Sequence, residues 1–245
     1  MPRAEAESAR ARFLDLFPAG FEELETSDSL ELSAYTGERG EQQVRRAFAF
    51  VVTTLVEPGW EDRWRDFHQP VRAGGLWIGP PWQTPPSGAP AVVVEPGLAF
   101  GTGAHGTTRA CVELLARSPR GSVLDAGCGS GVLAIAAARL GFAPVAAVDV
   151  DPAALEATRA NAARNGVEVD VRMGDVLRDD LPAADVLLAN IALPTVETLL
   201  RRWSGDRAIV SGYLAHETPA ADGWTCETRL DLDGWAADCL SRTTV

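Results

Sequence analysis

A glycine-rich turn that joins a predicted strand to a predicted helix constrains the fold of this chain more than any other feature. The strand is predicted at Ser122–Asp125 and the helix at Gly131–Leu140, with Gly127 and Gly129 between them. Glycine leaves no Cβ in the way of a ligand and adopts backbone conformations that other residues avoid. The N–H groups at the start of a helix also attract polar ligands. The turn therefore predicts an α/β fold that holds a flat, polar molecule at this point.

Strand-like and helix-like segments alternate on both sides of the turn. The predicted strands are Ala91–Val94, Ser122–Asp125, Val145–Asp149, Val169–Met173, Asp185–Ala189 and Ala208–Ser211, and the predicted helices are Thr107–Arg117, Gly131–Leu140, Pro152–Asn165 and Leu193–Trp203. Such alternation predicts a mostly parallel sheet wrapped by helices, which is a Rossmann-like, doubly wound α/β domain. The stretch Trp224–Ser241 predicts an antiparallel hairpin after it.

The chain before residue 59 has a different character. Helices are predicted at about Ala4–Leu16 and at Glu41–Phe50, with a short element at Phe21–Glu25 and an alternating apolar–polar segment at Ser29–Tyr35. A segment dense in Trp, Pro and charge follows and predicts a packed connector. We therefore predict a small α+β domain at 1–58, a Trp/Pro-rich connector at 59–90 and a ligand-binding α/β domain at 91–245.

The balance of charge limits the class of partner. With 34 acidic and 22 basic residues the formal net charge is −12. This charge argues against direct nucleic-acid binding and favours a basic protein partner. The chain contains no Lys, which excludes catalysis through a lysine Schiff base or a phosphate-loop lysine.

The cysteines and histidines show no metal-binding pattern. Cys111, Cys128, Cys226 and Cys239 lack a C-x-x-C spacing, so we expect reduced thiols and no metal site. Whether Cys226 and Cys239 meet across the predicted hairpin stays open. The start MPRAEAESARARF lacks the apolar core of a signal peptide, and no apolar stretch approaches the length of a membrane span. We expect a cytoplasmic protein.

Two carboxylates indicate which ligand the glycine turn holds. Asp149 ends the next strand, 18 residues after Gly131, where it can accept hydrogen bonds from both hydroxyls of a ribose. Asp125 stands two residues before Gly127, where a carboxylate repels a pyrophosphate but suits the cationic amino-acid end of S-adenosylmethionine. The D-x-G-x-G-x-G form is also typical of methyltransferases. We expect S-adenosylmethionine, with a nicotinamide-dependent oxidoreductase as the interpretation from another class.

Other polar residues near the turn have two interpretations. Asp175 follows a predicted strand and can meet an adenine amine, although a plain turn residue is equally compatible with the sequence. Cys128 and Ser130 are interpreted as small turn residues without chemistry. Asp151 is interpreted as the cap of the helix that begins at Pro152.

The most specific motif lies upstream of the glycine turn, where Glu95–Thr108 reads EPGLAFGTGAHGTT. This segment resembles the FGTG-x-H-x-TT loop of the methyltransferases that act on ribosomal protein L11. The matching residues are Phe100, Gly101, Thr102, Gly103, His105, Thr107 and Thr108. The resemblance covers about residues 60–214, including the Trp-rich connector, LLANI at Leu187–Ile191 and SGYL at Ser211–Leu214. The N-terminal domain agrees mainly in size and pattern and is short for the family.

The resemblance implies a protein N-methyltransferase that uses S-adenosylmethionine to methylate lysine side chains, the N-terminal amine, or both, of ribosomal protein L11. The predicted cofactor-binding residues are Phe100, Gly101, Thr102, Thr107, Thr108, Asp125, Gly127, Gly129, Gly131, Asp149, Asp175 and Asn190, and the predicted catalytic residues are Asn190 and His105. Asn190 ends a predicted strand, where its side-chain carbonyl can accept hydrogen bonds from an incoming amine. For His105, proton transfer and a loop-stabilising hydrogen bond stay open.

By the same resemblance, the domain at 1–58 recognises the protein substrate and the connector presents it. We expect a monomer. Three alternatives stay open besides the oxidoreductase: methylation of another protein's lysine, methylation of a small molecule, and a catalytically silent binding module.

Overall fold

In the computed structural model, the described residues are 9, 12–13, 16, 22–25, 30–34, 36–48, 50–53, 68–96 and 103–243. The chain divides into two compact units, Met1–Trp60 and Glu61–Val245. The predicted connector therefore falls almost wholly within the same unit as the predicted α/β domain. Among the described residues, no helix is long and apolar enough to cross a membrane.

The first unit contains a two-stranded hairpin and a helix. Strands β1 (Glu22–Glu25) and β2 (Leu30–Ser33) pair antiparallel, and helix α1 spans Glu38–Ala47. The helix begins and ends three residues before the prediction. Phe48 already has an extended backbone with φ −129° and ψ 139°, and its ring packs on Phe13 at a centroid distance of 5.6 Å. The predicted helix at Ala4–Leu16 lies largely outside the described residues.

A small sheet opens the second unit. It contains β3 (Val71–Ala73), β4 (Leu76–Gly79) and β5 (Ala91–Val93), with β3 and β4 antiparallel and β4 and β5 parallel. The prediction that residues 91–94 join the large parallel sheet was wrong. Asn165 explains where the strand lies, because its side chain accepts a hydrogen bond from Val93 N–H at 2.8 Å and donates one to Val93 O at 2.7 Å.

The large sheet has seven strands in the order β11-β12-β10-β9-β6-β7-β8. Its strands are β6 (Val123–Ala126), β7 (Val145–Asp149), β8 (Asp170–Met173), β9 (Val186–Asn190), β10 (Arg207–Leu214), β11 (Trp224–Leu232) and β12 (Trp235–Arg242). The neighbours among β8, β7, β6, β9 and β10 are parallel, and β12 is antiparallel to β10 and β11. The chain builds outward from β6 through β7 to β8, then returns to place β9 on the other side of β6. The doubly wound, mostly parallel sheet that the sequence predicted is confirmed.

Among the described residues, four helices cover the two faces of this sheet. They are α2 (Gly106–Arg117), α3 (Val132–Arg139), α4 (Pro152–Asn165) and α5 (Leu193–Arg202). Buried residues of α2 and α3 share one apolar cluster with residues such as Leu188 and Ile209 of the sheet. The buried residues of α5 share another apolar cluster with Leu187 and Val210 of the sheet, which are next to Leu188 and Ile209 in the sequence. Adjacent residues of a strand face opposite sides, so the sheet has a core on each face.

The C-terminal hairpin is present as predicted. Its register places Cys226 opposite Leu240, with an irregularity before Thr228, which lies opposite Cys239. Residues opposite each other in an antiparallel pair share a face, and consecutive residues do not. Cys226 and Cys239 therefore lie on opposite faces of the sheet and do not meet. All four cysteines are free.

Candidate active site

A cavity of about 770 Å³ lies at the carboxyl edge of the large sheet. It borders the crossover between β6 and β9, where ligands bind in open α/β sheets. The predicted site residues that line it are His105, Thr107, Thr108, Asp125, Gly127, Gly129, Asp149, Asp175 and Asn190. Phe100, Gly101 and Thr102 lie outside the described residues. Most of the described site residues are thus brought together in one place.

The glycine turn has the backbone that its sequence requires. Gly127 has φ +76° and Gly131 has φ +79°, a region that L-amino acids with a Cβ rarely adopt. A Cβ on Gly127 would lie 2.6 Å from Ile191 Cγ2, and one on Gly131 would lie 2.7 Å from Thr158 Cγ2. Gly131 is not among the residues that line the cavity. It precedes the first residue of α3 and lies beside Thr158, and its contact with the cofactor stays a prediction.

Asp149 is fixed at the end of β7 by two backbone donors. Its Oδ2 accepts a hydrogen bond from Gly129 N–H at 3.0 Å, and its Oδ1 accepts one from Asp151 N–H at 3.0 Å. A carboxylate oxygen can accept more than one hydrogen bond. Both oxygens therefore keep acceptor capacity for a pair of hydroxyl groups, in a side chain whose orientation is set before a ligand arrives. Asp151 also caps helix α4 through Ala153 N–H, as predicted.

Asp125 is the buried acid of the cavity. Its Oδ2 accepts a hydrogen bond from Ala134 N–H at 3.0 Å, and its side chain is almost inaccessible. Burial raises the pKa of Asp125 from 3.8 to about 7; the bond from Ala134 N–H lowers the pKa and the charge of Asp149 raises it. A cationic ligand group would favour the ionised carboxylate, whereas a pyrophosphate would oppose it.

Asn190 is oriented by two hydroxyl groups at the start of helix α2. Its Nδ2 donates to Thr107 Oγ1 at 3.1 Å and to Thr108 Oγ1 at 3.4 Å. Both threonines are buried. An amide nitrogen only donates, so Oδ1 is the atom of the Asn190 amide that can accept a hydrogen bond from a ligand in the cavity.

His105 caps helix α2. Its Nδ1 accepts a hydrogen bond from Thr107 N–H at 3.4 Å and lies 2.8 Å from Thr107 Oγ1. The His105 ring also meets Trp235 edge to face, with the centroids 4.8 Å apart. An Nδ1 that accepts from N–H leaves the proton of a neutral ring on Nε2. This arrangement supports the loop-stabilising interpretation of His105 over that of a base.

Asp175 has the turn geometry that was one of its two predicted roles. Its Oδ1 accepts a hydrogen bond from Leu177 N–H at 2.8 Å, and its Oδ2 lies 3.4 Å from Arg178 Nε. The residue still lines the cavity, together with Leu177 and the 63% exposed Val150. The contact with an adenine amine stays a prediction.

Several residues that line the cavity were not predicted from the sequence. They include Val150, Leu177, Ile191, Thr195, Gly212 and Trp235. Ile191 and Gly212 lie in the segments LLANI and SGYL, which resemble the family, but the resemblance implied no role for either residue. Trp235 is the first residue of β12 and gives no local signal in the sequence. Its place at the cavity depends on how the C-terminal hairpin packs on helix α2.

The sheet order and the glycine turn at the carboxyl edge define the class: this is the fold of the class I methyltransferases. Comparison with known proteins gives the family. The family model described as "Ribosomal protein L11 methyltransferase (PrmA)" matches residues 15–238. The chain belongs to the ribosomal protein L11 methyltransferase family.

Individual relatives agree with this assignment. The ribosomal protein L11 methyltransferase of Symbiobacterium thermophilum is 38% identical over 199 residues, which are 75% of this chain and 66% of the relative. That of Azotobacter vinelandii is 41% identical over 217 residues, 81% of this chain and 70% of the relative. The crystal structure of a ribosomal protein L11 methylase from Lactobacillus delbrueckii subsp. bulgaricus superimposes with a TM-score of 0.64 at 28% identity, over 69% of this chain and 96% of that chain.

Proposed function

We propose that this protein transfers methyl groups from S-adenosylmethionine to amines of ribosomal protein L11, on lysine side chains, at the N-terminus, or on both. The observation that carries the proposal is a single cavity that contains Asp125, Asp149 and an Asn190 amide held by two threonines. Asp125 and Asp149 suit the donor, and Asn190 suits an amine acceptor. Family membership supports the choice of L11.

The residues of the cavity fit S-adenosylmethionine. A volume of about 770 Å³ lies within the range of roughly 300–1,000 Å³ that is usual for small-molecule sites. Asp149 would hold the ribose hydroxyls, and Asp125 would face the ammonium group, directly or through water. Val150 and Leu177 would pack on the adenine, with Asp175 near its amine. S-adenosylmethionine supplies an electrophilic methyl group on a sulfonium.

The acceptor amine must be neutral when it attacks. A lysine amine with a pKa near 10.4 is about three units from neutrality at cellular pH, so its deprotonation costs roughly 4 kcal/mol, whereas an N-terminal amine with a pKa near 7.8 costs under about 1 kcal/mol. Orientation alone can supply roughly 7–11 kcal/mol. Asn190 Oδ1 accepts an N–H of the amine and aims its lone pair, and a strong protein base is not required.

Four residues form the surface that would face the amine. They are residues of the cavity lining: His105, Thr107, Asn190 and Trp235. A series of contacts joins them, because Asn190 is hydrogen-bonded to Thr107, Thr107 to His105, and the ring of His105 contacts that of Trp235. We call these four residues the acceptor wall. Its polar members hold one another in place and leave Asn190 Oδ1 for the substrate.

The remaining parts of the proposal concern recognition and setting. Residues 1–58 bind the protein substrate and residues 59–90 present it to the cavity. The net charge of −12 favours a basic protein over a nucleic acid as partner. We propose that the enzyme acts in the cytoplasm as a monomer.

The test is incubation of the full chain with methyl-labelled S-adenosylmethionine and recombinant L11 from the same organism, followed by intact-mass measurement and peptide mapping. We expect L11 to gain mass in steps of one methyl group on amines, and to gain it far more slowly with the variant Asp149→Ala at the same concentration of S-adenosylmethionine. Unmodified L11 beside measured cofactor binding would keep the methyltransferase and refute L11 as its target. Tight NAD binding without S-adenosylmethionine binding would refute the methyltransferase itself.

A further inference from the structure

The tip of the β11–β12 hairpin is a two-residue turn made by Asp233 and Gly234. Leu232 lies opposite Trp235 in the ladder, and the turn residues have φ +53° and +82°. Two positive φ angles are the form of hairpin turn for which Asp-Gly and Asn-Gly are preferred. Local chemistry therefore explains why these residues make a turn. It does not explain where the turn is held.

The tip is held against the first turns of helix α2. Arg109 Nη1 donates a hydrogen bond to Asp233 Oδ2 at 2.8 Å. The backbones also meet, because a Cβ on Gly106 would lie 2.7 Å from Leu232 O. One ion pair thus joins two segments that are 124 residues apart in the chain.

This contact leads directly to the acceptor wall. Trp235 follows the turn and meets the ring of His105, which precedes Gly106. His105 bonds Thr107, whose hydroxyl accepts from Asn190. Movement of the hairpin tip would shift the indole of Trp235, and through His105 and Thr107 it would shift the amide that aims the amine.

We propose that Arg109 and Asp233 are positioning residues for methyl transfer: their ion pair fixes the hairpin tip on helix α2 and so fixes the geometry of the acceptor wall. The proposal rests on the proposed function and names the part of the molecule that sets its acceptor geometry. Neither residue is among those that line the cavity, so both act through Trp235 and His105.

Because the ion pair is partly exposed to solvent, its effect on the rate of methyl transfer can be distinguished from an effect on the stability of the fold. The Arg109 side chain is 28% exposed and that of Asp233 is 61% exposed, and ion pairs this open to solvent contribute little to stability. The rate of methyl transfer is far more sensitive, because a misplacement of about 1 Å can cost as much as 10²-fold in rate. Loss of the pair should therefore slow transfer without unfolding the protein.

Asp233→Asn is the informative variant, because Asn-Gly keeps the turn and only the charge is lost. Arg109→Met removes the other charge and keeps an unbranched apolar stem. Asp231→Asn is the matched control: it is the same substitution in the same hairpin, and the partner it loses is Arg229 rather than a residue of helix α2. For each full-length variant, kcat and KM are measured with L11, together with the Kd for S-adenosylmethionine and the Tm.

We expect Asp233→Asn and Arg109→Met each to lower kcat about tenfold with the Kd for S-adenosylmethionine within twofold of wild type and little change in Tm. The double variant should be no slower than either single variant, because both remove one interaction. Asp231→Asn should keep the wild-type kcat. A wild-type kcat in Asp233→Asn, or additive losses in the double variant, would overturn the proposal.

Hydrogen exchange of the same variants tests the positioning role without any substrate. Faster exchange at residues 232–236 and 105–108 is expected in Asp233→Asn and not in Asp231→Asn. Unchanged exchange in Asp233→Asn would refute the proposal even if L11 proved to be the wrong substrate. A wild-type enzyme that leaves L11 unmodified refutes the proposed function instead, so the two failures are distinct.

Discussion

The buried carboxylate of Asp125 makes stability depend on pH in a direction that can be calculated. Burial raises its pKa from 3.8 to about 7. Between these two pH values the folded state holds a proton that the unfolded state has released. Stability therefore falls as pH rises through this window, and above pH 7 the full cost of the buried charge is present. The cost is absent below the unfolded pKa.

The variant Asp125→Asn removes this cost and keeps an acceptor for Ala134 N–H. With one pKa unit worth 1.36 kcal/mol, the buried charge costs roughly 1.5–2 kcal/mol at pH 5 and roughly 4 kcal/mol at pH 8. Without cofactor, the free energy of unfolding of the variant minus that of wild type should therefore be about 2–3 kcal/mol larger at pH 8 than at pH 5. The gain should be accompanied by loss of affinity for S-adenosylmethionine, because the carboxylate that faces its ammonium group is gone.

Urea unfolding of both proteins at pH 5 and pH 8, followed by far-ultraviolet circular dichroism, gives the four free energies needed. The difference between variant and wild type is compared at the two pH values, so any general effect of the substitution cancels. An equal difference at pH 5 and pH 8 would show that Asp125 does not carry the proposed charge cost. Glu168→Gln, a neutralised acid whose side chain is not in the cavity lining, serves as the control for charge removal.

Three further substitutions test individual contacts. Asp149→Ala should raise the Kd for S-adenosylmethionine about 10²-fold or more, because each hydrogen bond lost to a charged acceptor costs roughly 1.5–3 kcal/mol. The helix-cap variant Asp151→Ala should keep the wild-type Kd when both are measured by calorimetry. Asn190→Ala should lower the single-turnover rate about 10²-fold; an unchanged rate would remove Asn190 from the mechanism. Gly212→Ala should lower the urea midpoint more than Gly141→Ala, because both have positive φ but only Gly212 would place a Cβ 2.1 Å from a carbonyl oxygen.

Local signals explain which parts of this fold the sequence could predict. The glycine turn, the helix cap at Asp151 and the strand ends at Asp149 and Asn190 depend on residues close together in the chain. Periodicity and turn chemistry indicate such features directly. The predicted doubly wound sheet follows because strands that alternate with helices have few allowed arrangements.

Pairing over long distances explains what the sequence could not predict. Residues 91–94 have the composition of any buried strand. No feature of the adjacent sequence indicates that they pair with Leu76–Gly79, or that the side chain of Asn165 forms hydrogen bonds with Val93. Trp235 reaches the cavity only because the hairpin tip meets helix α2. The role of His105 could not be decided from the sequence for the same reason. One of its contacts, Thr107, is close in the chain, but the other, Trp235, is 130 residues away.

The two carboxylates of the cavity show how one site can prepare both ends of a ligand. Asp149 is partly exposed and receives two backbone N–H groups, so it is an oriented acceptor that hydroxyl groups can reach. Asp125 is buried with one N–H donor, and its ionised form lacks a cation among the described residues around it. A ligand that brings hydroxyls to Asp149 and an ammonium to Asp125 satisfies both at once. Binding such a ligand stabilises the ionised form of Asp125, so affinity should fall as pH drops below about 7, where binding must first remove a proton.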